Sequence, residues 1–308
     1  MEKVFVVKSY GLIAAVVTPM NNKYEVLYDE FEKYIRWVVS QGVSGIAVGV
    51  DTGEGPSLYR EEKLNLVKTA KKVAGSDVVV VAGLQAINTY EAVKLAKDLE
   101  KAGADALLVF PHSAFIGEPN EDVIFEYHRA INDNVKVPLI IFNLQPALGG
   151  VEYKPSIIKK LSELSNVKAI KEASFDAKKF LDIVRAIEKL PRKIQILTGN
   201  DNFIYESLVM GAEGGLLGFG TIAVKEQVEM FNLIAKEKYK EARELWYSLL
   251  PLMEVIFSPP VRNYRARLKE ALCMMGVIET TYVRPPLLPI SPEEREKIRN
   301  VLRELKML

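Results

Sequence analysis

Cysteine and histidine are nearly missing from this chain of 308 residues, which contains one cysteine, Cys273, and two histidines, His112 and His128. A single cysteine excludes an intramolecular disulfide, and so few histidines leave no spacing of the kind that holds zinc. The sequence therefore predicts no bound metal.

Neither sign of charge is in excess, since 41 lysines and arginines balance 40 aspartates and glutamates to a net charge of +1. This balance argues against nucleic acid and anionic membranes as partners, because both attract strongly basic proteins. No apolar stretch reaches the ~18 residues of a membrane span, and residues 1–8 lack the apolar core of a signal peptide. These absences predict a cytoplasmic protein that acts on a small molecule.

What the chain does contain is a repeating order of short apolar runs and longer amphipathic stretches. Runs without alternating polar positions indicate strands buried on both faces, and the helical periodicity between them predicts a parallel sheet covered by helices. Eight such units close a (β/α)8 barrel, or TIM barrel. The predicted strands are 12–17, 45–48, 78–82, 106–110, 138–142, 167–171, 194–198 and 214–218.

The stretches between these strands predict helices. Asp29 and Thr89 suit helix N-caps, and Gly42, Gly75 and Gly103 fall where helices end. After the eighth strand, helical stretches follow one another without a strand, so we expect a barrel of residues 1–222 and a C-terminal helical region, 223–308, packed on it. The predicted helices are 29–40, 61–74, 89–103, 122–132, 155–165, 176–187, 202–210, 224–236, 239–257, 261–275 and one from 292 onward.

Lys171 ends the sixth predicted strand, and strand alternation places it on one face with Val167 and Ala169. An amine among apolar neighbours at a strand end loses hydration, which lowers its pKa and favours the nucleophilic form near neutral pH. The pattern is typical of a lysine that forms a Schiff base, although a lysine that leans into solvent fits this run equally well.

Polar residues also follow four other predicted strands, at the end of the barrel where active sites form. The glycine-rich loop 49–56 can present N–H groups to a carboxylate or phosphate, or be only a turn. Histidine is the side chain type that changes charge near pH 7, so His112 is either a catalytic group or a loop residue without a catalytic role. Phe142 can pack but cannot move a proton, and the loop 198–201 also suits a helix N-cap.

Five segments together resemble the dihydrodipicolinate synthase and N-acetylneuraminate lyase family. They are Val-Val-Thr-Pro-Met at 16–20, Asp-Thr-Gly-Glu at 51–54, Ile-Lys-Glu-Ala-Ser at 170–174, Thr-Gly-Asn-Asp at 198–201 and Arg-Pro-Pro at 284–286. The resemblance covers nearly the whole chain. It implies a (β/α)8 barrel with a helical C-terminal region, assembled as a homodimer or homotetramer, that needs no cofactor.

The resemblance also implies roles for individual residues. Lys171 is expected to form an imine with the ketone of pyruvate or another 2-oxo acid. Thr52 and neighbouring N–H groups, including that of Gly53, are expected to hold the carboxylate. Phe142 and Leu216 complete the predicted substrate contacts.

Several positions depart from the family pattern. Phe142 stands where a tyrosine usually shuttles protons, Asp51 replaces the first threonine of Thr-Thr-Gly-Glu, and His112 and Ser113 match a tyrosine pair, one of which usually crosses a subunit interface. Ala147 matches the arginine that many dihydrodipicolinate synthases use for the aldehyde's carboxylate, and the related 2-keto-3-deoxygluconate aldolases also lack it. We therefore expect an atypical member that is not an efficient dihydrodipicolinate synthase.

The carboxylate of Asp51 raises an electrostatic question. Beside a bound 2-oxo acid it costs ~4 kcal/mol at 4 Å if the effective dielectric is about 20. Asp51 is therefore protonated, or a cation compensates it, or the substrate differs. A protonated Asp51 can act as general acid and base with His112 as its partner; otherwise Asp51 caps a turn and His112 faces solvent.

Three functions fit these residues. The first is a class I lyase that cleaves or condenses a 2-oxo acid bound to Lys171, with Asp51 moving protons. The second is a Schiff-base dehydratase or hydratase-aldolase for a larger 2-oxo acid, with Phe142 and Phe115 as an apolar wall. The third is a non-catalytic binding or regulatory relative that keeps Lys171 but has lost its proton relay.

Overall fold

Eight parallel strands close a barrel in the order β1 to β8, in a computed structural model that describes residues 11–117 and 120–308. Each strand pairs with its sequence neighbours, and β1 closes the ring against β8. The predicted (β/α)8 fold is confirmed. The strands are β1 Gly11–Ala15, β2 Gly45–Val48, β3 Val79–Leu84, β4 Ala106–Val109, β5 Leu139–Leu144, β6 Val167–Ala173, β7 Gln195–Thr198 and β8 Gly214–Leu217.

Among the residues that the structure describes, an α-helix follows each strand, and three more α-helices come after the eighth. They are α1 Tyr28–Ser40, α2 Arg60–Ala74, α3 Thr89–Ala102, α4 Glu121–Asn132, α5 Pro155–Ser162, α6 Ala177–Glu188, α7 Ile204–Val209, α8 Val224–Ala235, α9 Tyr239–Ile256, α10 Tyr264–Met274 and α11 Pro292–Glu304. The domain boundary at 222 stays a prediction; α8, which contacts β1, begins just after it. In the described ranges no helix is long and apolar enough to cross a membrane. The N-terminal residues 1–8, read for a signal peptide, lie outside them.

Two predicted helix N-caps are wrong by one or two residues. Asn88, not Thr89, precedes α3, and its side chain accepts a hydrogen bond of 2.9 Å from the Glu91 N–H. Leu27, not Asp29, precedes α1. An amide that accepts from the first turn satisfies an otherwise unpaired N–H, which explains why the asparagine takes this place.

A bulge in β6 decides which of its side chains enter the barrel. Leu139 and Ile140 of β5 pair with Val167 and Ala169, so Lys168 is the extra residue and the alternation restarts after it. Ala169 packs inside the barrel, as predicted, but Val167 packs in the outer core between sheet and helices. Lys171 is also not the last residue of β6, which continues to Ala173.

α10 packs against the loop that follows β2, and buried charged residues form the contact. Nine successive residues of α10, beginning at Tyr264, are buried, an environment that charged groups tolerate only when they are paired. Lys269 and Glu54 are both fully buried and form an ion pair of 2.5 Å. The other Glu54 oxygen accepts from the Arg284 N–H at 2.7 Å. The C-terminal region is therefore joined to the barrel mouth by ionic contacts.

Replacing Lys269 with methionine should lower the free energy of unfolding by about 3–5 kcal/mol, because Glu54 is left as an uncompensated buried charge. Urea denaturation measures this change. The double variant Lys269→Met/Glu54→Gln removes that charge and should recover part of the loss. A cost below about 1 kcal/mol for Lys269→Met would contradict the ionic contact.

Candidate active site

Lys171 projects from β6 into a cavity at the carboxyl end of the barrel. Its side chain is 6% exposed, and its Nζ lies 4.3 Å from the centroid of the Phe142 ring. Burial lowers the pKa of Lys171 to about 8, against the opposing effects of Asp201 and Asp51, which raise it. A substantial fraction of this lysine is thus an uncharged nucleophile near neutral pH.

The cavity above Lys171 measures about 300 Å³, including its open mouth. Its wall combines aromatic rings with a few polar groups, the composition expected of a small-molecule site. The lining residues are Asp51, Thr52, Phe142, Leu144, Leu148, Lys171, Ala173, Phe175, Gly199, Asp201, Gly218, Phe257 and Tyr264.

A buried carboxylate next to Lys171 fixes the ends of three strands. Glu172 accepts hydrogen bonds from the side chains of Asn143 at 3.0 Å and Asn200 at 2.7 Å, and from the Ser174 N–H at 3.1 Å. Burial raises the pKa of Glu172, while these donors lower it. Because the bonds tie β5, β6 and the β7 loop together, they hold Lys171 in place. Asn200 therefore bridges strands and does not cap α7, whose N-cap is Phe203.

Asp51 forms an ion pair with an arginine that the sequence pattern does not predict as its partner. Its Oδ1 forms a buried ion pair with Arg265 of α10, and its backbone carbonyl accepts from Arg265 Nε at 2.8 Å. Of the three possibilities for this carboxylate, the structure provides the compensating cation. Asp51 is therefore held in place and not simply a turn cap.

Tyr264, the first residue of α10, brings a hydroxyl to the same cavity. It donates to Asp51 Oδ2 at 2.8 Å, and its oxygen lies 3.2 Å from Thr52 Oγ1. The ring of Phe257 stacks on it at a centroid distance of 5.0 Å. The helical pattern of residues 261–275 predicts no function for this tyrosine, since no local pattern marks a residue that faces a site 213 positions away.

Asp201 is a second acidic residue of the cavity, and no sequence pattern marks it as such. Burial raises its pKa to about 7, although hydrogen bonds such as that from the Phe219 N–H, at 2.7 Å, and the charge of Lys171 lower it. The motif Thr-Gly-Asn-Asp contained this residue, but its burial is visible only in the fold.

His112 lies outside the cavity wall. Its Nδ1 accepts from the Ala114 N–H at 3.0 Å, so Nε2 carries the proton and donates to the Ile87 carbonyl at 2.9 Å. Both ring nitrogens are occupied by these local contacts, and the structure does not bring His112 together with Lys171 within one chain. Its catalytic role stays a prediction, as does a contact across a subunit interface.

The predicted substrate-binding residues divide into two groups. Thr52 and Phe142 line the cavity, whereas Leu216 packs in the apolar interior of the barrel. Gly53 supports the loop: its carbonyl accepts from Thr18 Oγ1 at 2.8 Å, and a Cβ here would lie 2.8 Å from the Val16 oxygen. Within residues 11–117 and 120–308 the N–H groups of Thr52 and Gly53 have no backbone acceptor, so they can face a carboxylate.

Arg262 stands beside the position that lacks the family's arginine. Its Nε donates to the Ala147 carbonyl at 3.1 Å, and its guanidinium covers Gly149, where a Cβ would lie 2.9 Å from it. Leu148, between these two residues, lines the cavity. A cation is thus present next to the cavity wall, although it comes from the turn before α10.

A buried lysine with a lowered pKa, at the carboxyl end of a barrel strand and facing a small cavity, is the arrangement of a class I aldolase-type lyase. Among the described residues, no cluster of three or more His, Cys, Asp or Glu side chains could hold a metal ion.

Comparison with known proteins agrees with this class. The model of the Dihydrodipicolinate synthetase family matches residues 8–305, and the chain belongs to this family.

Similar proteins share almost the full length of the chain. The 4-hydroxy-tetrahydrodipicolinate synthase of Methanocaldococcus jannaschii is 31% identical over 97% of this chain and 99% of its own, and that of Thermodesulfovibrio yellowstonii is 32% identical over the same shares. A dihydrodipicolinate synthase structure from Thermotoga maritima gives a TM-score of 0.89 at 28% identity, covering 97% of this chain and 99% of that one. A structure from Acinetobacter baumannii in complex with pyruvate gives 0.86 at 29% identity, with the same coverage.

The rate of imine formation at Lys171 should rise about tenfold per pH unit below its pKa of about 8 and level off above it, because only the neutral amine attacks a ketone. Initial rates of reductive trapping with pyruvate and cyanoborohydride, measured from pH 6 to 10, test this. The pH at which the rate levels off reflects the coupled titration of Lys171 and Asp201, not of the lysine alone. Asp201→Asn should move it to lower pH, because the variant removes a charge that raises the lysine pKa; a rate still rising at pH 10 would contradict the lowered pKa.

Proposed function

We propose that this protein binds pyruvate as an imine on Lys171 and joins it to, or releases it from, an aldehyde. The observation that carries the proposal is the buried amine of Lys171, with its pKa lowered to about 8, at the wall of a small cavity. The pyruvate complex of a similar structure supports the same substrate, and the relatives named as synthases support a joining reaction.

The contacts around the cavity suit a small 2-oxo acid. In the proposed complex the N–H groups of Thr52 and Gly53 bind the carboxylate, which places the ketone carbon near Lys171. Arg265 neutralises Asp51, so the substrate carboxylate does not meet an uncompensated negative charge. The imine then withdraws electrons from the neighbouring carbon, as its protonated nitrogen becomes the electron sink.

The cavity favours pyruvate over the larger or aromatic 2-oxo acids considered from the sequence. Phe142, Phe175 and Phe257 line a cavity whose empty space, counted together with the open solvent at its mouth, is only about 300 Å³. Phe115, proposed as part of an apolar wall, packs instead against Tyr127 and His112 outside this cavity. The hydratase-aldolase alternative therefore has less support than the pyruvate lyase.

Lys171→Ala should abolish the adduct that borohydride traps with pyruvate, since the variant lacks the nucleophile. Intact-mass spectrometry measures the adduct. Lys63 provides a matched control, because it is equally exposed at 6% and burial also lowers its pKa to about 8, but it lies on α2 outside the cavity wall. Lys63→Met should keep full trapping. An adduct in Lys171→Ala, or none in the wild type with any 2-oxo acid, would refute the proposal.

We also propose that Arg262 takes part in binding the second substrate. The weak dihydrodipicolinate synthase activity expected from Phe142 and Ala147 stays a prediction. The Arg262 guanidinium beside the Ala147 carbonyl is a candidate replacement for the arginine that position 147 lacks. A planar guanidinium binds a carboxylate through two parallel hydrogen bonds. From its position next to Leu148, Arg262 can reach an acidic aldehyde at the cavity mouth.

Arg262→Ala should raise the KM for an acidic aldehyde, with aspartate semialdehyde as the probe, by about 10-fold or more, because it removes a charged hydrogen bond of roughly 1.5–3 kcal/mol. Steady-state condensation with pyruvate measures this, and borohydride trapping of pyruvate alone should be unchanged. An unchanged KM would exclude Arg262 from the second-substrate site. A wild-type rate close to that of efficient dihydrodipicolinate synthases would contradict the predicted weak activity.

A further inference from the structure

We propose that Tyr264 of α10 is the catalytic hydroxyl that carries protons between the pyruvate imine and Asp51. This inference rests on the proposed function, because it needs the imine on Lys171. It assigns the proton transfer to a residue of the C-terminal region and not to the barrel position 142, where phenylalanine cannot exchange a proton.

The placement of Tyr264 meets the geometric requirement for such a role. Tyr264 and Lys171 both line the same small cavity, so the tyrosine borders the space into which a molecule bound to the amine extends. The hydroxyl donates to Asp51 Oδ2 at 2.8 Å and lies 3.2 Å from Thr52 Oγ1. General acid-base catalysis needs such hydrogen-bond distances between the groups that pass the proton.

The surroundings of Tyr264 determine how its proton moves. Burial, followed by the charge of Asp51, raises the pKa of Tyr264 well above its ordinary value, so it stays a neutral hydroxyl. A free phenolate is therefore unfavourable, and the hydroxyl must accept one proton as it gives its own to Asp51. Arg265, paired with Asp51, holds the carboxylate oriented toward Tyr264 throughout.

Each proton is accounted for from the Lys171 ammonium to the enamine, where Asp51 holds the proton removed from the methyl carbon. The Lys171 ammonium gives a proton through Tyr264 to Asp51, and the resulting amine attacks the ketone carbon. The nitrogen then loses a proton to the Tyr264 hydroxyl as that hydroxyl gives its own to the former ketone oxygen, which forms the neutral carbinolamine. Asp51 returns this proton through Tyr264 to the leaving hydroxyl, which departs as water and leaves the protonated imine. The methyl carbon of the imine then loses a proton along the same path to Asp51, and its C–H electron pair forms the enamine double bond.

Phe142 explains why the hydroxyl comes from α10. Its ring lies 4.3 Å from Lys171 Nζ and edge-on to Phe110 at 5.0 Å, so this side of the amine is apolar. Apart from Asp201 of the β7 loop, the acidic and hydroxyl groups of the cavity lie on the side of the β2 loop, where Asp51, Thr52 and Tyr264 meet. The same placement weakens the non-catalytic alternative, which depended on the lack of a hydroxyl near residue 142.

The test is the exchange of pyruvate methyl protons in D₂O, followed by proton NMR with the full-length protein. Tyr264→Phe should lower this exchange by about 10²–10⁴-fold, the usual contribution of a placed acid or base. Borohydride trapping after long incubation should still give the Lys171 adduct. Tyr34→Phe is the matched control, because Tyr34 is a buried tyrosine with a hydroxyl partner, Thr221, outside the cavity wall. It should exchange within about twofold of wild type.

A restored hydroxyl distinguishes catalysis from a packing role. The double variant Tyr264→Phe/Phe142→Tyr should regain at least about tenfold in exchange, since its phenol again faces Lys171. Wild-type exchange in Tyr264→Phe, with trapping intact, would overturn this inference and leave the proposed function standing. If Tyr264→Phe does not fold, Asp51→Asn decides, because unchanged exchange in that variant also overturns it. A wild type that forms no adduct refutes the proposed function itself.

Discussion

The buried ion pair between Asp51 and Arg265 is the interaction on which the site depends. Removing one partner of such a pair leaves an uncompensated charge and typically costs about 3–5 kcal/mol, so α10 and the β2 loop must stay together. The fully buried pair of Glu54 and Lys269, one helical turn further along α10, repeats the arrangement. These contacts make the helical region after the barrel part of the cavity wall and bring Tyr264 to it.

The reactivity of Lys171 follows from a balance between burial and charge. An apolar barrel interior removes water from the amine and lowers its pKa, while Asp201 and Asp51 raise it again, and the result is about 8. Without the carboxylates the lysine would be neutral but would lack partners for its protons. With more exposure it would stay charged and unreactive near neutral pH. The bulge at Lys168 matters equally, because it determines that Lys171 points inward.

Two departures from the family pattern, at positions 142 and 147, can be compared with groups that the fold brings to the cavity from elsewhere in the chain. Phenylalanine at 142 and alanine at 147 remove a hydroxyl and a guanidinium from the barrel loops. Tyr264 and Arg262, two residues apart in the segment that leads into α10, place the same two chemical groups next to the cavity. In the proposed mechanism these two groups act from new positions, since proton transfer and carboxylate binding depend on distance and not on the supporting element.

The sequence by itself determined the eight strands, their order and the position of Lys171 near the carboxyl end of β6, because periodicity and burial are local properties that a run of residues carries. It also located the loop of Asp51 and Thr52. Only the tertiary structure decided that Arg265 neutralises Asp51 and that Tyr264 faces the cavity. These partners are 214 and 213 residues away from Asp51, and no local pattern records which side chains the packing of α10 brings to the barrel mouth. The inward direction of Lys171 depends on sequence and structure together. Strand alternation predicts that Lys171 points inward with Ala169, and the bulge at Lys168, which the sequence pattern does not show, sets both of them on the inner face.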